Sequence, residues 1–201
     1  EVRGLVHLDD PRENWLPEFA DTPVFERVAP RVNSKRPRSR SITMHDLLTH
    51  RAGLSYGIFA GDPVSGEYLR RQTDFNTHDG PLSEVCERLA TMPLVFDPGE
   101  RWHYSVSLDV LGRVIEVVSG KTLDQYFRDH IFEPLEMHDT SFQVTADKKD
   151  RLTALYTKTA DERMKLTETA EESLWADESN PVTCFSGGSG LVGTMADYWK
   201  F

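Results

Sequence analysis

One short string in this sequence could carry nucleophilic chemistry. Gly53-Leu54-Ser55-Tyr56-Gly57 spells G-x-S-x-G, the spacing of a nucleophile elbow, in which the serine attacks an ester or amide carbonyl. Tyr104, inside RWHYSVS, reads from the residues alone as a loop-edge tyrosine capping a helix, with its ring buried against Trp102. An elbow needs a strand running into a sharp turn and a helix leaving it, so that backbone N–H groups face the oxyanion. Around Ser55 the order is reversed: MHDLLTH reads as a helix before it, and loop residues follow. The sequence predicts that Ser55 lies in a helix-to-loop turn, with Gly53 and Gly57 supplying backbone freedom. An elbow enzyme would also need an acid and then a histidine downstream. His78, His103, His130 and His138 are available, but none follows an Asp-bearing strand in a repeating β-α pattern.

Other chemistries have less support. The seven histidines show no H-E-x-x-H and no paired ligand spacing, so no metal site is indicated. Cys86 and Cys184 stand far apart, outside any C-x-x-C, and read as buried thiols rather than a disulfide. A net charge of −10 repels phosphate backbones and argues against nucleic-acid binding. No apolar run approaches the ~18 residues that would span a bilayer, and no signal peptide is visible at Glu1.

Helices dominate the elements that must position these residues. Residues 31–40, RVNSKRPRSR, are basic and aperiodic and read as a solvated loop. In SITMHDLLTH, Thr43 and Asp46 form a capping box ahead of the apolar stripe Met44, Leu47 and Leu48, and the helix stops before Gly53. Residues 58–80 read as a polar connection. Pro81 opens a helix with Leu82, Val85, Cys86 and Leu89 on one face. TMPLVFDPGERWHYS reads as an extended loop feeding SLDVLGRVIEVVSG, a buried helix that ends at Gly120. Thr122 and Gln125 suggest a second capping box, with Leu123, Tyr126, Phe127 and Ile131 facing inward until Pro134. Residues 139–160 could supply a short strand or two, and residues 161–180 read as an acidic, solvated excursion. FSGGSGLVG reads as a glycine turn, and Thr194 with Asp197 opens a last helix. Both ends read as cut, so we expect an internal section of a longer chain.

Three segments taken together resemble the serine β-lactamase-like superfamily, which includes class C β-lactamases, penicillin-binding-protein relatives and family VIII carboxylesterases. They are ITMHDLLTHRAGL, the fifty-residue run from PLVFDPGERWHYS to EMHDTSF, and GGSGLVGTMADYWKF; GLVHLDDP near the start adds to them. The resemblance implies an α+β, β-lactamase/transpeptidase-like fold: an antiparallel sheet flanked by helices, plus a helical region that residues 1–201 chiefly cover. Within that frame the nucleophile belongs to S-x-x-K. No serine here has lysine at the third following position, so this motif is expected before Glu1, and the third family motif after Phe201.

What remains is the family's middle motif, Y-x-N, matched by Tyr104-Ser105-Val106. The resemblance gives Tyr104 the role of general base and acid. A free phenol titrates near 10 and is a poor base at neutral pH, but a neighbouring ammonium favours phenolate. Val106 stands where many β-lactamases carry an asparagine that can pair with a lactam's side-chain amide, which argues for esters. The resemblance also places Tyr56 as an aromatic wall of an acyl pocket, with Ser186, Gly187 and Gly188 on a loop facing it. The expected activity is a serine carboxylesterase working through an acyl-enzyme on a small-molecule ester, without cofactor. The alternatives are a β-lactamase or D-Ala-D-Ala peptidase in the same frame, and a homologue that only binds. A cytoplasmic location is expected, with the periplasm as the alternative.

Overall fold

The computed structural model describes residues 4–28, 31–59, 64–74 and 80–201; His78 and part of the 58–80 segment lie outside them. The architecture is α+β. Strands β1 (Val24–Val28) and β2 (Arg31–Arg36) form an antiparallel hairpin in which Val24 faces Arg36 and Glu26 faces Ser34. Helices α1 (Met44–Leu48), α2 (Ser65–Arg71), α3 (Leu82–Ala90) and α4 (Ser107–Ser119) follow. Helix α5 (Leu123–Phe127) continues into a π-helical turn, Arg128–Phe132. An exposed hairpin of β3 (Leu155–Lys158) and β4 (Met164–Glu168) precedes α6 (Met195–Lys200).

The core lies where α1, α3 and α4 meet the β1 edge. Leu47, Leu54, Leu82, Val85, Leu89, Leu94, Val106 and Val110 are all buried there. The four inward residues expected for α3 are the four it buries, because an apolar residue every three or four positions gives a helix one dry stripe. The Thr43–Asp46 box is present on α1, although Leu48 points outward. Both cysteines are buried, and they are not joined in a disulfide.

Three expectations fail. Residues 31–36 form β2 rather than a loop; charge patterning reports exposure, and a hairpin strand needs only one dry face. Helix α2 interrupts the expected polar connection. Val64 and Tyr68, both buried, are enough to anchor its two turns. The capping box at Thr122 is absent: the Thr122 hydroxyl donates to Asp124 (2.6 Å), and Glu116 of α4 accepts the Leu123 N–H (3.1 Å). The predicted solvated stretch 161–180 is exposed along β4 but carries that strand. No helix among the described residues is long and apolar enough to cross a membrane.

Candidate active site

Residues 50–57 and 94–106 run side by side and bring the two candidate strings together. Four backbone bonds join them: Val95 N–H to Gly53 O (2.8 Å), Gly99 N–H to Arg51 O (2.8 Å), His103 N–H to His50 O (2.8 Å) and Val106 N–H to Ser55 O (3.3 Å). Gly53 makes this approach possible, since its φ is +82° and an added Cβ would sit 2.4 Å from the Phe96 carbonyl oxygen. No other residue fits both demands without strain.

The result is an aromatic nest around Tyr104. Its ring centroid lies 4.6 Å from His50, 5.6 Å from Tyr56, 6.4 Å from Trp102 and 6.5 Å from Phe59. Tyr104 is 41% exposed and Trp102 65%, so the phenol faces open space instead of being sealed against Trp102. Ser55, by contrast, is fully buried. Its N–H donates to the Tyr68 hydroxyl (3.3 Å), and its Oγ lies 3.2 Å from His103 Nε2. It sits after a helix, as expected. The adjacent Ser105 pairs its hydroxyl with Ser107 (2.7 Å) and lies 3.5 Å from His50 Nδ1.

Val106 is fully buried and is the N-cap residue of α4, where it offers no side-chain cap. Three residues later stands Asp109, which the sequence reading passed over as one polar position in an apolar helix. It is 1% exposed and gathers three donors. Oδ1 accepts the Ser186 hydroxyl and the Gly188 N–H (3.2 Å), and Oδ2 accepts the Tyr56 hydroxyl (3.4 Å). Burial pushes the Asp109 carboxyl up to about 6, with the Ser186 and Gly188 hydrogen bonds pulling the other way. Burial likewise raises the Tyr56 phenol well above its usual value, helped by the Asp109 charge beside it. Tyr56 therefore stays protonated and donates.

The loop carrying Ser186 lies flush on the first turns of α4. A Cβ on Gly187 would be 2.2 Å from the Leu108 carbonyl oxygen, and one on Gly188 would be 3.0 Å from Asp109 Oδ2. Ser186 Oγ also accepts the Ser189 N–H (3.0 Å), closing the loop on itself. Tyr104, Tyr56, Ser186 and Gly187 thus belong to one contiguous patch. His50, Phe59, Trp102 and Asp109 join it without having been singled out. Only Asp109 left a sequence signal: an acid on the first turn of a helix whose N-cap position, Val106, cannot use it. Among the described residues, no group of three or more His, Cys, Asp or Glu is arranged to hold a metal ion. A cavity of about 510 Å³ opens elsewhere, beside Asp139, Lys148 and Arg151, but those cations are paired with Asp139.

This fold is that of a serine β-lactamase-like domain. The chain belongs to the β-lactamase family, whose profile matches residues 2–201. Among its relatives, esterase EstB of Burkholderia gladioli is 37% identical over 141 residues, covering 70% of this chain and 33% of EstB. Monacolin J acid methylbutanoyltransferase of Aspergillus terreus is 32% identical over 203 residues, covering 98% of this chain and 46% of the transferase. Among solved structures, EstCE1, described as a hydrolase with promiscuous acyltransferase activity, superposes with a TM-score of 0.73 at 28% identity, over 99% of this chain and 52% of EstCE1. The chain spans about half the length, or less, of the curated relatives it matches.

Proposed function

We propose that the protein containing this chain is a serine hydrolase that works through an acyl-enzyme, and that its substrates are small to medium acyl esters. The observation that carries the reading is the half-exposed Tyr104 phenol, held in an aromatic nest on the lip of α4. Tyr104 takes the proton of a serine supplied from outside this sequence as that serine's Oγ bonds to the ester carbonyl carbon. It then returns the proton to the alkoxide as the C–O bond breaks, and in the second half of the cycle water replaces the alcohol. The Tyr56 ring forms the apolar wall for the acyl group. At position 106 a buried valine provides nothing to pair with a lactam's side-chain amide, which favours esters and supports the likeness to family VIII carboxylesterases. EstB is named an esterase, and the Aspergillus terreus protein is a methylbutanoyltransferase. One acyl-enzyme serves both outcomes, depending on whether water or another alcohol takes the acyl group.

The test uses the longer protein that this reading requires. Tyr104→Phe is expected to lower kcat for p-nitrophenyl butyrate by roughly 10²–10⁴-fold, with the melting temperature unchanged. Activity that survives the substitution removes Tyr104 from the mechanism. Nitrocefin assayed beside the ester decides the substrate class, and faster nitrocefin turnover would replace the esterase reading with a β-lactamase one.

A further inference from the structure

Asp109 has no place in the chemistry just described, yet it is the most heavily bonded carboxylate at its edge. Every donor it accepts belongs to a residue that faces or borders the acyl pocket. On one side are the Ser186 hydroxyl and the Gly188 N–H of the glycine loop; on the other is the Tyr56 hydroxyl. The carboxylate lies in the first turn of α4, a rigid element, and the outer end of this chain of contacts is the half-buried Tyr56 ring, 5.6 Å from Tyr104 and tilted 32° to it. Among the described residues, no lysine, arginine or histidine donates to Asp109. A buried carboxylate paired only with neutral donors is a poor device for stability, since burial penalises its charge.

We propose that Asp109 is a positioning residue for the acyl pocket: its carboxylate clamps the 186–189 loop to the Tyr56 hydroxyl and so fixes both walls relative to Tyr104. This rests on the reading of the groove as an ester site with Tyr104 at its centre. An ionised carboxylate is acceptor-only and can satisfy all three donors at once. An asparagine of the same size cannot, because its amide turns an N–H toward at least one of them. The glycines complete the clamp. Gly188 leaves room for both Asp109 Oδ2 and the Tyr56 hydroxyl, which lie 3.0 and 3.3 Å from where its Cβ would be.

The clamp predicts a division between binding and chemistry. At pH 7.5, Asp109→Asn is expected to raise KM for p-nitrophenyl butyrate roughly tenfold and to leave kcat within about threefold. Tyr56→Phe, which removes only the outermost donor, should raise KM in the same direction. In the double variant the two effects should be strongly non-additive, because each substitution breaks the same link. Asp109→Glu, which keeps the charge, should recover part of the KM loss. An unchanged KM in both single variants, or fully additive effects, would overturn the clamp. If Asp109→Asn does not fold, Tyr56→Phe and Ser186→Ala carry the same test, each expected to raise KM by a few-fold, and unchanged KM in both sinks the proposal. Tyr104→Phe, measured alongside, separates the two readings. Full activity there refutes the base assignment, whereas a dead Tyr104→Phe with normal KM in the Asp109 and Tyr56 variants refutes the clamp alone.

Discussion

Asp46 and Asp109 occupy the same place in two helices, the third residue of the first turn, and both are almost wholly buried. Their surroundings push them apart. Asp46 accepts the Thr43 N–H and hydroxyl (3.0 Å each) and two guanidinium bonds from Arg40 (2.6 and 2.8 Å). Burial alone would raise its pKa, but Arg40 and Thr43 outweigh burial and hold it below the ordinary carboxylate range. Asp109 accepts from no cation among the described residues and follows no capping threonine, and burial prevails. The first carboxylate fastens a helix end. The second, freed from capping because Val106 precedes its helix, turns to a loop and a tyrosine 77 and 53 residues away in sequence. A group that costs stability and organises a site is a recurrent mark of function.

The pH dependence of stability separates the two most sharply. Asp109 folds with a raised pKa, so the protein loses stability as pH rises from about 4 through about 6, and its ionised form costs on the order of 3 kcal/mol at neutral pH. Asp109→Asn should therefore gain on the parent protein by about 2 kcal/mol between pH 4.5 and 7.5, read from urea unfolding at both values. A constant difference would mean that Asp109 is not held against its burial. Asp46 runs the other way: its contribution is present above the ordinary carboxylate range and is lost as pH falls through its lowered value. Asp46→Asn should cost about 2 kcal/mol at pH 7 while leaving KM unchanged. A KM change as large as that of Asp109→Asn would erase the distinction between the two. The smallest effect belongs to Ser55→Ala. It should keep activity within about threefold and cost about 1 kcal/mol through the orphaned His103 contact. Abolished turnover would make Ser55 the nucleophile after all.

What was legible in the sequence was local. The Thr43–Asp46 box and the Thr194–Asp197 cap lie three residues apart, and both form. The apolar stripe of α3 is likewise a matter of spacing. The box at Thr122 obeys the same rule and does not form, because the Thr122 hydroxyl turns to Asp124 instead. Helix α2 was hidden because a single pair of buried residues, Val64 and Tyr68, holds it inside an otherwise polar stretch.

The sequence by itself determined the helix faces, which follow from short-range spacing, and the family resemblance, which in turn implied the α+β class and the candidate roles of Tyr104 and Tyr56. Tertiary structure alone decided that residues 50–57 lie against 94–106, that Ser55 is sealed while Tyr104 stays open, and that Asp109 links Tyr56 to the 186–189 loop. Those contacts join positions dozens of residues apart, and only packing around one core brings their donors and acceptors within reach.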